Sequence, residues 1–136
     1  MTALSANLDT ERKDGEIIRY PVLASTTIYK GALVVDLDTG YASAGDDASG
    51  ATFLGVAVEK KDNSSGSDAD KAVRVNKKGT YVFSKASAVQ TDIGVAMYIS
   101  DDQTVATSSS YSILAGYCVD VPDSTHVRVR IDAAVK

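Results

Sequence analysis

The sequence has one cysteine, one histidine, two prolines and no tryptophan in 136 residues. A lone Cys118 excludes an intramolecular disulfide and any metal site built from several cysteines. Its apolar neighbours make it a small buried hydrophobe rather than a nucleophile, since no adjacent base or helix N-terminus lowers its pKa. His126 stands alone too. Along an alternating strand its neighbours on the same face are Arg128 and Arg130, so it reads as a solvated residue and not as a general base. Basic residues are outnumbered, 14 Lys and Arg against 18 Asp and Glu, for a formal charge of -4. A nucleic-acid partner needs a basic face, so the balance argues against one, and local pairs such as Lys77-Lys78 read as solvated strand positions. No apolar run approaches the roughly 20 residues of a membrane span. No apolar segment follows the first charges, as it would in a secretory signal. The expectation is a protein made in the cytoplasm and soluble there, with no nucleic acid, no membrane, no metal and no cofactor.

What is present is a series of short strand-like runs. Apolar residues make up 44% of the chain, and a chain of this length buries roughly two-thirds of its unfolded surface. The stretch Thr52 to Ser84 shows the pattern most fully. Phe53, Leu54, Val56 and Val58 form one run, Val73 and Val75 a second, Tyr81 and Phe83 a third. Between the first two lies Asp62 to Asp70, a polar segment that reads as an exposed loop. Upstream, Asp14-Gly15 turns the chain into Glu16 to Val22, where Pro21 lacks an N–H and marks a sheet edge. Thr26 to Leu37 is a further strand, with Gly31 as a bulge or tight bend. Downstream, Thr91 to Gly94 fits a single helical turn. Val95, Met97 and Ile99 then share one face, Thr104 to Thr107 is a short strand, and Ile113 to Val121 is a longer one that Pro122-Asp123 ends. Val127, Val129 and Ile131 alternate with polar residues as a half-buried strand does. Turn signals recur about every ten residues without a sustained helical stripe. The fold class is all-β: a compact β-barrel or sandwich-like single domain over 15–136, with an extended N-terminal arm over 1–14 and at most one short helical turn.

No constellation of catalytic residues emerges from these runs. Adjacent carboxylates such as Asp46-Asp47 and Asp101-Asp102 point to opposite faces of an extended chain and do not form an acid–base pair. The Asp62-Asn63-Ser64-Ser65-Gly66 segment has the opening of a calcium loop, but its glycine comes one position early and Val73 stands where the bidentate Glu belongs. Asn63-Ser64-Ser65 matches a glycosylation sequon, which means nothing without secretion. Gly40, Gly45 and Gly50 lie in separate turns with no following helix to receive a phosphate. An enzyme is therefore not expected.

The order and spacing of the motifs resemble a known family. Gly15-Glu16-Ile17-Ile18, Ile28 to Val34 and Gly40-Tyr41-Ala42 are similar to the opening of the small capsid cement, or head decoration, proteins of tailed bacteriophages. The likeness continues through Phe53 to Ala57, Asp62-Asn63-Ser64 and Val73-Arg74-Val75 with Gly79 and Phe83. It goes on through Asp92-Ile93-Gly94, Tyr98 to Val105 and Ala115-Gly116, to Val127-Arg128-Val129. The resemblance implies a β-rich structural virion protein, commonly a homotrimer, that binds the major capsid protein on the outer surface of the head and stabilises the shell. It implies no catalytic residue. The alternative is a β-rich module that recognises a glycan or host surface, for which only tyrosines such as Tyr41, Tyr81, Tyr98, Tyr111 and Tyr117 offer stacking faces.

The arm is the expected capsid contact. Ordering each residue costs about 1–2 kcal/mol, and burying Leu4 and Leu8, its main apolar side chains besides Met1, returns only about 1.5–3 kcal/mol apiece. Such an arm is expected to order only on a partner that also offers main-chain hydrogen bonds. Leu4, Leu8 and Arg12, with Tyr20 and Pro21 on the neighbouring edge strand, are the candidate capsid-binding residues. The Asp62 to Asp70 loop, acidic and poor in apolar area, is expected to face solvent.

Overall fold

A computed structural model describes residues 2–10 and 12–136. The fold is all-β, with one 3-10 turn at Gln90–Asp92. In chain order the strands are β1 (Ile17–Pro21), β2 (Thr26–Ile28), β3 (Leu33–Asp36), β4 (Ala42–Ala44), β5 (Thr52–Ala57) and β6 (Lys61–Asn63). They continue as β7 (Ala72–Asn76), β8 (Thr80–Ser84), β9 (Ala96–Ile99), β10 (Val105–Ala106), β11 (Leu114–Asp123) and β12 (His126–Arg130). They form two five-stranded sheets, β1-β7-β5-β3-β4 and β8-β12-β11-β9-β10, and a two-stranded ribbon, β2-β6.

The two sheets have the same fold. Each is built in the same strand order, and the pairings repeat residue for residue. Tyr20 faces Val73 and Arg19 faces Arg74 in the first; Phe83 faces Val127 and Val82 faces Arg128 in the second. Val35 faces Phe53 and Val34 faces Gly55, with Leu54 squeezed between as a bulge. In the second sheet Tyr98 faces Leu114 and Met97 faces Gly116, with Ala115 as the corresponding bulge. The entry to β3 is repeated at β9 as well. Gly31 N–H donates to Ala57 O at 2.9 Å, and Gly94 N–H donates to Cys118 O at 2.7 Å. Parallel bridges, Val22 to Ala42 and Ser84 to Thr104, draw the ends of the edge strands β1 and β8 toward the opposite edges at β4 and β10 and curl both sheets.

A bulge needs a backbone that kinks without a side chain in the way, which is why both carry glycine. Gly55 has φ +140° and Gly116 φ +148°, and a Cβ would lie 2.1 Å from Asn76 O and 2.0 Å from Arg130 O respectively.

The two halves differ in what covers them. One face of the first sheet places Val34, Leu54, Val73 and Val75 in a core with Val22, Ile28 and Ala32. Its other face places Leu33, Val35, Phe53 and Val56 in a second core with Met97, Ile99, Cys118, Val127, Val129 and Ile131 of the second half. A sheet buried on both faces must be apolar at successive positions, and β5 is buried from Phe53 to Ala57.

Several expectations need correction. Thr26 to Leu37 is two strands, because Gly31, at φ +85°, makes a tight bend between them. The Asp62 to Asp70 segment is not loop throughout. Asp62 and Asn63 belong to β6, and Asn63 is buried where its Nδ2 donates to Val22 O, Leu23 O and Ser67 O. The rest of that segment is exposed apart from half-buried Gly66. Pro122 does not end β11. It lies between the shifted pairings of Asp120 and Asp123, where the ladder asks for no proline N–H. The helical turn comes one residue earlier than expected.

Candidate functional site

The described residues before β1 form no strand or helix. Met1 and Glu11 of the expected arm lie outside the described residues. Leu4 is 73% exposed and Leu8 64%, so neither packs on the body of its own chain. Arg12 pairs with Asp14 at 3.4 Å on the open surface, a contact worth little in water. Pro21 lies at the end of β1, opposite Ala72, and β1 is an edge strand, as the proline requires. Of the candidate contact residues, the structure brings together only Tyr20 and Pro21, on that strand.

Tyr20 is already engaged within the chain. Lys77 Nζ donates to Tyr20 Oη, to Leu54 O at 2.6 Å and to Lys136 O at 2.6 Å. It also lies 4.8 Å from the Tyr20 ring centroid, a distance at which an ammonium is attracted to the ring face. Lys77 is therefore not a solvated strand residue. Three acceptors satisfy its three donors, and it ties β1, β5 and the last residue of the chain together. Tyr20 is half-buried beneath it.

The second half has a buried charge pair that charge counting gave no reason to expect. Lys85 Nζ and Asp92 Oδ2 are 3.1 Å apart and both residues are buried. Asp92 also accepts from Val89 N–H at 3.0 Å. That N–H, then the Lys85 ammonium, holds the Asp92 carboxyl below the ordinary aspartate range. By the repeated register Lys85 is the counterpart of Val22. In the first half Asn63 satisfies the carbonyls of Val22 and Leu23; in the second Lys85 itself reaches Ala86 O and Ser87 O. Ala86 O, the counterpart of Leu23 O, thus finds its donor in Lys85 where Leu23 O finds one in Asn63.

Two other polar groups are turn chemistry. His126 does find a carboxylate, Asp123 at 2.9 Å, but across the exposed β11-β12 turn and not along the strand. Thr125 N–H and the His126 ring hold Asp123 down to about 2. Thr125 Oγ1 and the Asp123 carboxylate both meet His126 at the same Nδ1, so they form a turn network without a relay. Ser64 and the Thr27 hydroxyl likewise hold Asp62 at about 2. Burial pushes the Cys118 thiol up, away from the reactive thiolate. Among the described residues no group of three or more His, Cys, Asp and Glu is arranged to hold a metal. No helix among them is long and apolar enough to cross a membrane.

No protein-family model and no curated protein matches the chain. Among solved structures, the N base of head fiber gp8.5 of bacteriophage phi29 matches with a TM-score of 0.52 at 16% identity, covering 88% of this chain and 98% of that one. The fold is similar to that of a phage head fiber base. At this identity the match speaks to fold alone. The phi29 comparison extends over most of the repeated pair of sheets, so it reaches beyond one sheet motif.

Sequence reasoning missed the repeat, Lys77, the Lys85–Asp92 pair and Asn63. Only the repeat had a visible signal: Val73-Arg74-Val75 recurs as Val127-Arg128-Val129, and Leu54-Gly55 as Ala115-Gly116.

Proposed function

We propose that this protein is a structural component of a phage virion that binds the outer surface of the head, stabilises the capsid and acts as a homotrimer. The observation that carries the reading is the fold shared with a phage head fiber base over 88% of the chain. It agrees with the chain-long likeness to cement proteins. The contact with the major capsid protein is assigned to the arm, through Leu4, Leu8 and Arg12, and to the adjoining edge strand at Pro21. Two exposed leucines on an unpaired segment suit strand addition to a partner's sheet edge, where main-chain hydrogen bonds supply the affinity and apolar side chains the selectivity. Several arms on one oligomer would bind at high effective concentration, raising avidity by about 10²–10⁴ over a single arm. A bridge across neighbouring capsid subunits must then break before they part.

The test is sedimentation with purified heads of the phage that encodes the protein. The full chain should co-sediment at a stoichiometry near that of the major shell protein. A variant lacking residues 2–12 should fold normally and stay in the supernatant. Undiminished binding of that variant would refute the arm as the contact, and failure of the full chain to bind would refute the capsid role.

A further inference from the structure

Asn63 is 1% exposed, and only one end of its amide is served by the chain. Nδ2 donates to Val22 O at 3.3 Å, Leu23 O at 3.0 Å and Ser67 O at 3.0 Å. Three carbonyls around the NH₂ group fix the amide's orientation, because turning it over would set oxygen against oxygen. Oδ1 is thereby aimed the other way, where it is buried and accepts no hydrogen bond. Among the described residues it is the one buried side-chain N or O atom in that condition. Buried acceptors in native proteins have partners, so this oxygen calls for a donor or a cation from outside the chain.

Gly66 shows where that oxygen points. A Cβ on residue 66 would lie 2.0 Å from Asn63 Oδ1 and 3.2 Å from Asp70 Oδ2. Gly66 lacks the left-handed φ of Gly31 or Gly55, so its backbone does not require glycine; the amide oxygen excludes a side chain there. Measured from that one point, the two oxygens are at most about 5 Å apart, and a calcium ion about 2.3–2.6 Å from each of its ligands can touch both. Asp70 is itself held in place, since Ser67 N–H donates to its Oδ2 at 2.8 Å.

The surroundings are negative. Asp62 and Asp68 each accept from a main-chain N–H, of Ser64 at 3.0 Å and of Ala24 at 2.8 Å. No ion pair among the described residues involves Asp62, Asp68 or Asp70. Lys61 turns instead to Glu59 at 3.8 Å, and Lys60 lies over the Tyr29 ring. Asp70 is exposed and Gly66 half-buried, so solvent reaches the rim.

We propose that Asn63 Oδ1 and the Asp70 carboxylate, above Gly66, form a calcium site whose coordination is completed by water from the exposed side. Amide and carboxylate oxygens are hard ligands, and calcium accepts them in irregular geometry where magnesium demands a near-ideal octahedron. This is not the twelve-residue loop that the spacing rules out. With one charged ligand its affinity belongs at the weak end, about 10⁻⁴–10⁻³ M. The site lies in residues 58–71, between β5 and β7; in the second half only Ser124 and Thr125 join β11 to β12. The ion would tie β6 to the start of β7, and the proposal is independent of the capsid.

The experiment is a calcium chloride titration of the full chain in chelator-treated buffer, followed by NMR and thermal melting. The Asn63 side-chain amide and the Gly66 main-chain amide should shift together and saturate at one ion per chain. At ten times Kd the folding constant should rise about elevenfold, lifting Tm by roughly 3–5 °C. Asp70→Asn keeps an oxygen for Ser67 N–H, so its melt in chelator should match that of the unmodified chain. Its calcium affinity should fall roughly tenfold or more, while Asp9→Asn, the same charge change in the arm, should bind as before. No saturation by about 10 mM calcium, still signals at Asn63 and Gly66, or affinity indifferent to Asp70→Asn overturns the proposal. An equal gain in Tm from magnesium chloride would mark simple charge screening and overturn it too. None of these results bears on binding to heads.

Discussion

Replacing Gly116 with alanine should cost about as much as replacing Gly55, because the repeated register places both at the same bulge. The new methyl at 116 would sit 2.0 Å from Arg130 O, 2.8 Å from Arg130 C and 2.8 Å from Val129 Cγ1. At 55 it would sit 2.1 Å from Asn76 O and 2.6 Å from Val75 Cγ1. The obstacle is a backbone carbonyl of the neighbouring strand, so relief requires moving the ladder. A side chain at such a φ costs about 1–3 kcal/mol, and displacing packed neighbours about 1–3 more. Each variant should therefore lose roughly 2–6 kcal/mol out of a typical 5–15. In a chain of this size that lowers Tm by roughly 7–20 °C. Gly31→Ala and Gly94→Ala serve as controls. Their φ values are +85° and +84° with nothing within 4 Å of the added carbon, so only the backbone penalty of about 1–2 kcal/mol applies. Urea unfolding with unchanged slope is the assay. If the bulge variants lose no more than the controls, the carbonyl clash is not what selects glycine there.

Breaking the Lys85–Asp92 pair with Lys85→Ala should destabilise by about 3–5 kcal/mol, because a buried carboxylate is left without its cation, whereas Lys85→Met with Asp92→Leu should cost far less; denaturant titration separates the two. Asp92 also predicts an acid response. Its folded-state pKa is depressed, so its contribution is whole above the ordinary aspartate pKa and is lost as pH falls through the folded value. Thermal melts stepped into acid should converge for the unmodified chain and Asp92→Asn. Asn63→Ala strands the carbonyls of Val22, Leu23 and Ser67, at a cost of roughly 1–3 kcal/mol. Faster hydrogen exchange in β2 and β6, with β8 to β12 unchanged, would place that cost in the ribbon.

The strands were legible because burial leaves a period in the sequence. Val127, Val129 and Ile131 alternate with His126, Arg128 and Arg130, and the inward three are fully buried. Pro21 marked its edge for a reason local to one residue, the missing N–H. The failures were of another kind. Pro122 looked like a terminator because nothing in its own neighbourhood reveals a register shift against β12. Lys77 looked solvated because its acceptors come from Tyr20, Leu54 and Lys136, remote in sequence. Asn63 sat in a run of Ser, Asp and Gly whose composition says loop. Exposure of Leu4 and Leu8 follows from the arm's polarity. That Tyr20 spends its hydroxyl on Lys77 does not, and it narrows what that residue can offer a partner.

The matching halves also show where the chain tolerates change in length. Between β5 and β7 the first half inserts residues 58–71, β6 among them, whereas in the second half β11 runs on to Asp123 and only Ser124 and Thr125 join it to β12. The pairs Val56 with Asn76 and Ala57 with Val75 still match Tyr117 with Arg130 and Cys118 with Val129. Register in this fold is therefore insulated from that connection. A peptide grafted between Ser64 and Ser65, both exposed, would ride on the outside of the ribbon with Asn63 still locked beneath it. On an assembly bearing many copies, that position is a ready-made point for dense, ordered display.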